Sequence, residues 1–175
     1  MAGREPTPLG TDHWKYVVFK DPKWDYKTMD FDKDIALGDT LDQDIGINAI
    51  DPNLKPFFDH GGKLIQYHGW TDSLIAPQNS INYYESVVKA MGGVKQISNN
   101  YRLFMVPGMD HCGGGAGPNT FDTLTALEQW VEKAKAPDQM LASRPGRTRP
   151  LCPYPQVAVY KGTGSTDEGA NFNCK

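Results

Sequence analysis

The sequence predicts an α/β fold, because the middle of the chain repeats a strand, a loop and a helix. The strands read Lys63-Leu-Ile-Gln-Tyr-His-Gly69 and Tyr101-Arg-Leu-Phe-Met-Val-Pro-Gly108, and each is a short apolar run that ends in glycine. A segment with helical periodicity follows each strand after a loop. Strands joined by crossover helices form a parallel sheet, whose ligands usually sit in loops beyond the carboxyl ends of the strands.

Short helices joined by polar turns are predicted for residues 1–60. Threonine and aspartate favour the position just before a helix, and proline favours its first turn. The predicted helices run from Thr11 to Phe19, from Asp30 to about Leu37, and from Asp51-Pro52 to Gly61-Gly62.

Two amphipathic helices are predicted within residues 61–136, the strand-helix part of the chain. Pro77 opens the first and Gly92-Gly93 closes it, whereas Asn119 or Thr120 caps the second after a loop. Apolar residues at helical spacing predict one inward face for each helix. These faces carry Ile81, Tyr84, Val88 and Met91 in the first helix, and Leu124, Leu127, Val131 and Ala134 in the second.

Residues 137–175 are rich in proline and glycine and are predicted to form an extended arm over the domain. The chain has three cysteines, of which Cys152 and Cys174 lie in this arm. We expect these two to form a disulfide that stabilises the fold by about 3 kcal/mol. Cys112 is then left over, and its simplest interpretation is a buried free thiol.

Composition argues against several kinds of partner. The 175 residues include 18 Lys+Arg and 21 Asp+Glu, with a net charge of −3, so neither nucleic acid nor an anionic membrane is expected to bind. No apolar run approaches the roughly 20 residues of a membrane-spanning helix. The segment Met1–Pro6 has no apolar stretch, so the chain as written carries no secretory signal.

Asp72 and His111 are the candidate catalytic residues, because each follows one of the predicted strands. In an α/β-hydrolase the acid and the histidine of the catalytic triad occupy such loops, in that chain order. The histidine transfers protons, and the carboxylate orients it and stabilises its charged form. Position alone leaves an alternative open, in which Asp72 is a capping residue and His111 a hydrogen-bonded loop residue.

Local sequence strengthens the catalytic interpretation. Tyr67-His-Gly-Trp-Thr-Asp72 and Val106-Pro-Gly-Met-Asp-His-Cys-Gly-Gly-Gly115 resemble the acid and histidine segments of the tannase and feruloyl esterase family. Further similarity lies in Phe19–Ala36, which resembles the end of the family's lid domain. The C-terminal segments that resemble the family are Arg147–Gln156, Gly162–Thr166 and Asn171–Cys174.

The resemblance implies a partial α/β-hydrolase fold, with residues 1–60 as a remnant of the helical lid. It implies a serine-type carboxylic ester hydrolase, secreted or periplasmic, acting on small phenolic esters without a cofactor. Asp72 would be the acid and His111 the base. In the family a disulfide joins the cysteine after the histidine to the cysteine before the nucleophilic serine, so Cys112 would pair outside this chain. The family's calcium site lies in the lid, so no metal ligand is carried over.

The nucleophile of the triad is missing. The family's serine lies in a Gly-x-Ser-x-Gly turn, and none of the serines in this chain has both glycines. The serine would therefore lie on sequence outside this chain, supplied by a missing N-terminal portion. The alternative is a catalytically incomplete half-fold that acts as a binding or structural module, or is a remnant. Uncovered sheet edges would favour association with the missing portion or with a second copy.

Other candidates have simpler interpretations. Asp30-x-Asp32-x-Asp34 resembles a calcium loop but has Ile35 where glycine is required. Trp70, beside Asp72, is a candidate for lining the substrate pocket, with a packed loop aromatic as the alternative. The remaining histidines are interpreted as structural, and they are His13, His60 and His68.

Overall fold

The computed structural model describes residues 5–175, with the side chains of residues 42–45 left out. Residues 1–4, which belong to the segment interpreted as lacking a secretory signal, lie outside the described residues. The chain divides into two compact units, residues 1–50 and 51–175. The division falls ten residues before the end of the predicted helical segment, because the helix that follows Asp51 belongs to the second unit.

The first unit is helical. Helix α1, Pro8–Asp12, continues as a wider π-helical turn over His13–Val18, and a 3₁₀ turn covers Tyr26–Thr28. Thr11 does not cap this helix as predicted. The helix begins after Thr7, because Pro8 suits its first position, and the Thr11 hydroxyl bonds back to the Thr7 carbonyl at 3.5 Å.

Asp30 caps helix α2 as predicted, but the helix itself is Lys33–Ile45, which begins three residues later and extends beyond the predicted end. The Asp30 carboxylate accepts hydrogen bonds from the backbone N–H groups of Asp32 and Lys33, both at 3.0 Å. The prediction ended the helix at about Leu37, before Gly38. Gly38 instead continues the helix, and a Cβ atom there would lie 3.3 Å from the Trp14 ring of the same unit.

The second unit contains the predicted strands and crossover helices. Helix α3 starts later than predicted because the side chains of Asp51 and Asn53 accept hydrogen bonds from the backbone N–H groups of Asn53 and Lys55, forming turns instead of a helix. The elements before residue 137 are α3, Lys55–Asp59; β1, Leu64–Gly69; α4, Pro77–Ala90; α5, Val94–Ile97; β2, Tyr101–Val106; and α6, Thr123–Lys133.

Strands β1 and β2 pair in parallel, as the repeated pattern predicts. The register runs from Leu64 opposite Tyr101 to Gly69 opposite Val106. The carboxyl ends of both strands therefore lie side by side, which brings the β1–α4 loop next to the β2–α6 loop.

Strand β2 is buried on both faces, so it separates two apolar clusters. Tyr101, Leu103 and Met105 face the cluster built with α4, whereas Phe104 and Val106 face the other one. Near-continuous apolar sequence is typical of parallel strands covered on both sides. The first cluster comprises Ile81, Tyr84, Val87, Ile97, Tyr101, Leu103 and Met105, and the second Phe104, Val106, Met109, Met140, Ala142 and Leu151.

Helix α6 differs from its prediction in cap and in orientation. Asp122 is the cap, because its carboxylate accepts the Thr125 backbone N–H at 2.9 Å. Trp130 is the buried residue, whereas Leu124 and Val131 are exposed by 66% and 61%. The predicted inward face is therefore wrong. The Lys63 ammonium, just before β1, and the Arg102 guanidinium, in β2, lie over the Trp130 ring. The spacing of apolar residues within a helix cannot reveal such a contact with other elements.

The C-terminal arm is more regular than predicted. It forms two antiparallel pairs of short strands, and Cys152 and Cys174 are joined by a disulfide that ties the pairs together. The paired strands are β3, Met140–Arg144, with β4, Arg147–Leu151; and β5, Ala158–Tyr160, with β6, Phe172–Cys174.

Replacing Cys152 and Cys174 together by serine should lower the free energy of unfolding by about 3 kcal/mol, because the disulfide closes a loop with a sequence separation of 22. Urea denaturation of the variant and the unmodified chain measures the difference. The matched control is Cys112→Ser, which removes an exposed free thiol and should leave the midpoint unchanged. Equal midpoints for all three proteins would contradict the stabilising role of the bridge.

Candidate active site

The Asp72 carboxylate lies at the centre of the candidate site, in the loop between β1 and α4. Its side chain is only 2% exposed. Oδ1 accepts hydrogen bonds from the backbone N–H groups of Leu74 and Ile75, at 2.8 and 3.0 Å. Oδ2 lies 2.8 Å from Nδ1 of His111 and 3.0 Å from Nε2 of His68. Four donors thus surround a carboxylate that can accept about four hydrogen bonds.

These hydrogen bonds keep Asp72 ionised. Burial raises the pKa of the Asp72 carboxyl, but the bonds from the Ile75 and Leu74 backbone and from His111 and His68 outweigh burial and hold that pKa well below its ordinary value. An ionised carboxylate only accepts hydrogen bonds. Each imidazole must therefore present a protonated nitrogen to Asp72.

His111 lies in the loop between β2 and α6, and its side chain is 46% exposed. Since Nδ1 donates to Asp72, the other ring nitrogen, Nε2, is the unprotonated one when the ring is neutral. Such a nitrogen can accept a proton from a neighbouring hydroxyl while the carboxylate stabilises the charged ring. The structure thus brings together Asp72 and His111, which are 39 residues apart in the sequence.

The two loops touch directly because Gly69 has no side chain. A Cβ atom at Gly69 would collide with the Met109 carbonyl and lie 2.5 Å from the Asp110 carbonyl. Backbone hydrogen bonds from Trp70 to Val106, at 3.0 Å, and from Thr71 to Met109, at 3.1 Å, fasten the contact.

Glycines also shape the histidine loop. Gly114 and Gly115 have φ values of +69° and +84°, in the left-handed region that glycine adopts without strain. A Cβ atom at Gly115 would collide with the Gly108 carbonyl, so the loop folds back tightly on the end of β2. Gly114 and Gly115 therefore give the loop its conformation.

Cys112 is exposed, which corrects its interpretation as a buried thiol. It follows His111 in a left-handed backbone conformation with a φ of +59°. Within the described residues it is a free cysteine, and its pairing with a cysteine outside the chain stays a prediction.

His68 is the site residue that the sequence analysis missed. It was interpreted as structural, but its Nε2 contacts the same oxygen of Asp72 as His111 does, and its side chain is 11% exposed. The available signal was a polar pair in an apolar strand: Gln66 and His68 point to one face of β1, and both contact the hydroxyl of Ser80 on α4. His60 lies 2.6 Å from the Pro56 carbonyl, and His13 packs edge-on against the Trp14 ring.

A small cleft of about 110 Å³ opens beside these groups, lined by Tyr67, Ile75 and Met109 together with Asp72 and both histidines. Trp70 does not line it. Trp70, 46% exposed, borders a separate cavity of about 340 Å³ with Arg149 and Phe172. Its contact with substrate stays a prediction.

Within residues 5–175, no group of three or more histidine, cysteine, aspartate or glutamate side chains is arranged to hold a metal ion. None of the helices described is long and apolar enough to cross a bilayer.

Gly69→Ala should destabilise the second unit by roughly 1–3 kcal/mol, because the added methyl group must force the two loops apart. Urea denaturation measures the loss. Gly113→Ala is the matched control, since a Cβ atom there meets nothing within 4 Å and the change should be close to neutral. Equal effects of the two substitutions would show that the loops do not depend on close approach at Gly69.

Stability should fall in acid because of Asp72. Its pKa is lowered in the folded state, so its contribution is complete above the ordinary value of 3.8 and is lost as the pH falls below that value. Denaturation curves from pH 6 down to pH 2 test this. Asp72→Asn should flatten the acid limb, whereas Asp59→Asn, at an exposed surface ion pair, should leave its slope unchanged. An unchanged slope in Asp72→Asn would contradict the assignment.

Comparison with known proteins places this chain in a family. The family described as "Tannase and feruloyl esterase" matches residues 11–175. The chain is 48% identical over 134 residues to a mono(2-hydroxyethyl) terephthalate hydrolase of Piscinibacter sakaiensis, covering 72% of this chain and 22% of that protein. It is 37% identical over 194 residues to a probable feruloyl esterase B-2 of Aspergillus terreus, covering 97% of this chain and 36% of that protein.

A solved structure agrees in fold. The crystal structure of feruloyl esterase B from Aspergillus oryzae superposes with a TM-score of 0.88 at 30% identity, covering 98% of this chain and 38% of that one. The chain thus spans between about a fifth and two fifths of the length of these proteins. The fold is part of an α/β-hydrolase, as predicted, and the chain belongs to the tannase and feruloyl esterase family.

Proposed function

We propose that this chain supplies the acid and the base of a serine-type carboxylic ester hydrolase. The observation that carries the proposal is the 2.8 Å contact between Nδ1 of His111 and the buried Asp72 carboxylate. The family to which the chain belongs is named for esterases, so the reaction proposed for Asp72 and His111 is acyl transfer. The nucleophilic serine would come from sequence outside the 175 residues.

In the proposed mechanism, Nε2 of His111 takes the proton of the serine hydroxyl as its oxygen attacks the ester carbonyl. The imidazolium then returns this proton to the departing alcohol. Water repeats the sequence on the acyl-enzyme and releases the acid. Asp72 stays ionised throughout, because its four hydrogen bonds favour the charged form, and it stabilises the imidazolium at each step.

The proposed substrates are small esters of aromatic acids, such as feruloyl or galloyl esters. The relatives are named for feruloyl and terephthalate esters, both of which carry an aromatic acyl group. Tyr67, Ile75 and Met109 give the cleft beside His111 an apolar wall that suits an aromatic ring. Trp70 is proposed to contact a part of the substrate farther from the reacting carbonyl.

We also propose that the protein works in an oxidising compartment, outside the cell or in the periplasm. The Cys152–Cys174 disulfide supports this, since such bonds persist where thiols are not kept reduced. Exposed Cys112, next to His111, would pair with a cysteine of the segment that carries the serine. That disulfide would hold the loop of His111 next to the segment that carries the nucleophilic serine.

A chimera tests the function. This chain replaces the matching segment of the Aspergillus oryzae feruloyl esterase B, which supplies the remaining sequence. The chimera should hydrolyse a feruloyl ester, and His111→Ala or Asp72→Ala should lower kcat by roughly a thousandfold or more. The matched control is His60→Ala, which removes an exposed imidazole whose contact is the Pro56 carbonyl and should leave kcat unchanged.

The isolated chain is assayed in parallel and should show no ester hydrolysis, because it lacks the serine. Hydrolysis by the isolated chain that survives His111→Ala would remove His111 from the mechanism. A folded chimera without activity, or one whose activity is indifferent to both substitutions, would contradict the proposal. That result would favour the alternative, a half-fold that binds or supports another protein.

A further inference from the structure

A chain of polar side chains runs through the apolar contact between β1 and α4 and ends at Asp72. The Tyr101 hydroxyl contacts Oε1 of Gln66, whose Nε2 donates to the Ser80 hydroxyl at 2.9 Å. The Ser80 hydroxyl lies 2.7 Å from Nδ1 of His68, and Nε2 of His68 lies 3.0 Å from the Asp72 carboxylate. Polar groups in such a place need a reason, since an apolar contact would pack without them.

When His68 is neutral, the protons in this chain have one consistent arrangement. Tyr101 is fully buried, and burial raises the pKa of its hydroxyl, so it stays protonated and donates to Gln66. Ser80 accepts from Gln66 and has one proton left, which it donates to Nδ1 of His68. The proton of a neutral His68 must then sit on Nε2.

The surroundings of Nε2 agree with this tautomer. Its two neighbours are both acceptors, the ionised Asp72 carboxylate at 3.0 Å and the Ile75 carbonyl at 3.2 Å. His68 thus donates from the inner side to Oδ2 of Asp72, while His111 donates to the same oxygen from the exposed side.

We propose that His68 is a positioning residue, which holds the Asp72 carboxylate in its orientation toward His111 while the Ser80 hydroxyl donates to its other ring nitrogen. This inference rests on the proposed function for its catalytic consequence. Without His68 the carboxylate loses one of two side-chain donors, and His111 loses a fixed partner for its Nδ1 proton. Outer partners that fix a ligand's orientation have comparable effects in metal sites, where they are worth about tenfold to a hundredfold in activity.

Two isosteric substitutions separate positioning from simple packing. The amide nitrogen of His68→Gln occupies the place of Nε2 and can donate to Asp72. The amide group of His68→Asn reaches only as far as the place of Nδ1, so it can bond to Ser80 and not to Asp72. Both side chains are polar and of similar size, so a residue that only fills space would tolerate them about equally.

The direct readout is the ring-nitrogen NMR spectrum of the ¹⁵N-labelled chain, with His13 and His60 identified by substitution. The unmodified chain should show His68 as a single Nε2–H tautomer and His111 as a single Nδ1–H tautomer. His68→Gln should preserve the His111 signal, and His68→Asn should convert it to a mixture of tautomers. Identical His111 spectra in the two variants would overturn the proposal.

If His68→Asn fails to fold by circular dichroism, Ser80→Ala serves instead. It removes the donor to Nδ1 and leaves the ring in place, so the Nδ1 signal of His68 should shift while the proton stays on Nε2. An unchanged Nδ1 signal would overturn the proposal. In the chimera, kcat of His68→Asn should fall at least about tenfold below that of His68→Gln, with KM within about threefold. An inactive chimera with the expected spectra would contradict the proposed esterase function alone, because the spectra require no activity.

Discussion

The buried carboxylate of Asp72 is the point on which the arrangement of the second unit converges. Within its own loop it accepts hydrogen bonds from the backbone of Leu74 and Ile75. It also contacts His111 of the histidine loop, and His68 at the contact between β1 and α4. A buried charge is tolerated only when hydrogen bonds replace the water that it has lost. The position of the whole loop is therefore tied to the presence of all its donors.

The parallel pairing of β1 and β2 makes that convergence possible. Gly69 and Val106 are opposite each other at the ends of the strands, so the loops that follow start from neighbouring points. At Gly69 the two loops meet backbone against backbone, with Gly69 against the Met109 carbonyl. Because the two backbones approach closely, the side chains that follow also meet. Nδ1 of His111 lies 2.8 Å from Oδ2 of Asp72.

The site has a buried inner part and an exposed outer part. Asp72 and His68 are 2% and 11% exposed, whereas His111 is 46% exposed. The groups proposed to set the orientation of His111 are thus shielded from water, and the group proposed to exchange protons with a substrate is accessible. This is the arrangement that preorganisation of a proton-transfer residue requires, since the supporting groups need not rearrange during the reaction.

Local sequence sufficed for the strands, for α4, and for the loops that hold Asp72 and His111, because periodicity, proline, glycine and chain order act over a few residues. The buried stripe of α6 was misassigned because Leu124 and Trp130 each lie on an apolar stripe. Packing against Lys63 and Arg102 selects the stripe with Trp130.

His68 was missed for a related reason. Its proposed role depends on Ser80, Gln66 and Tyr101, which only the β1–β2 register and the docking of α4 bring into contact. Sequence alone determined which residues could do chemistry, and the tertiary structure decided which of them share a hydrogen bond, because a bond between residues 39 apart exists only once the strands have paired.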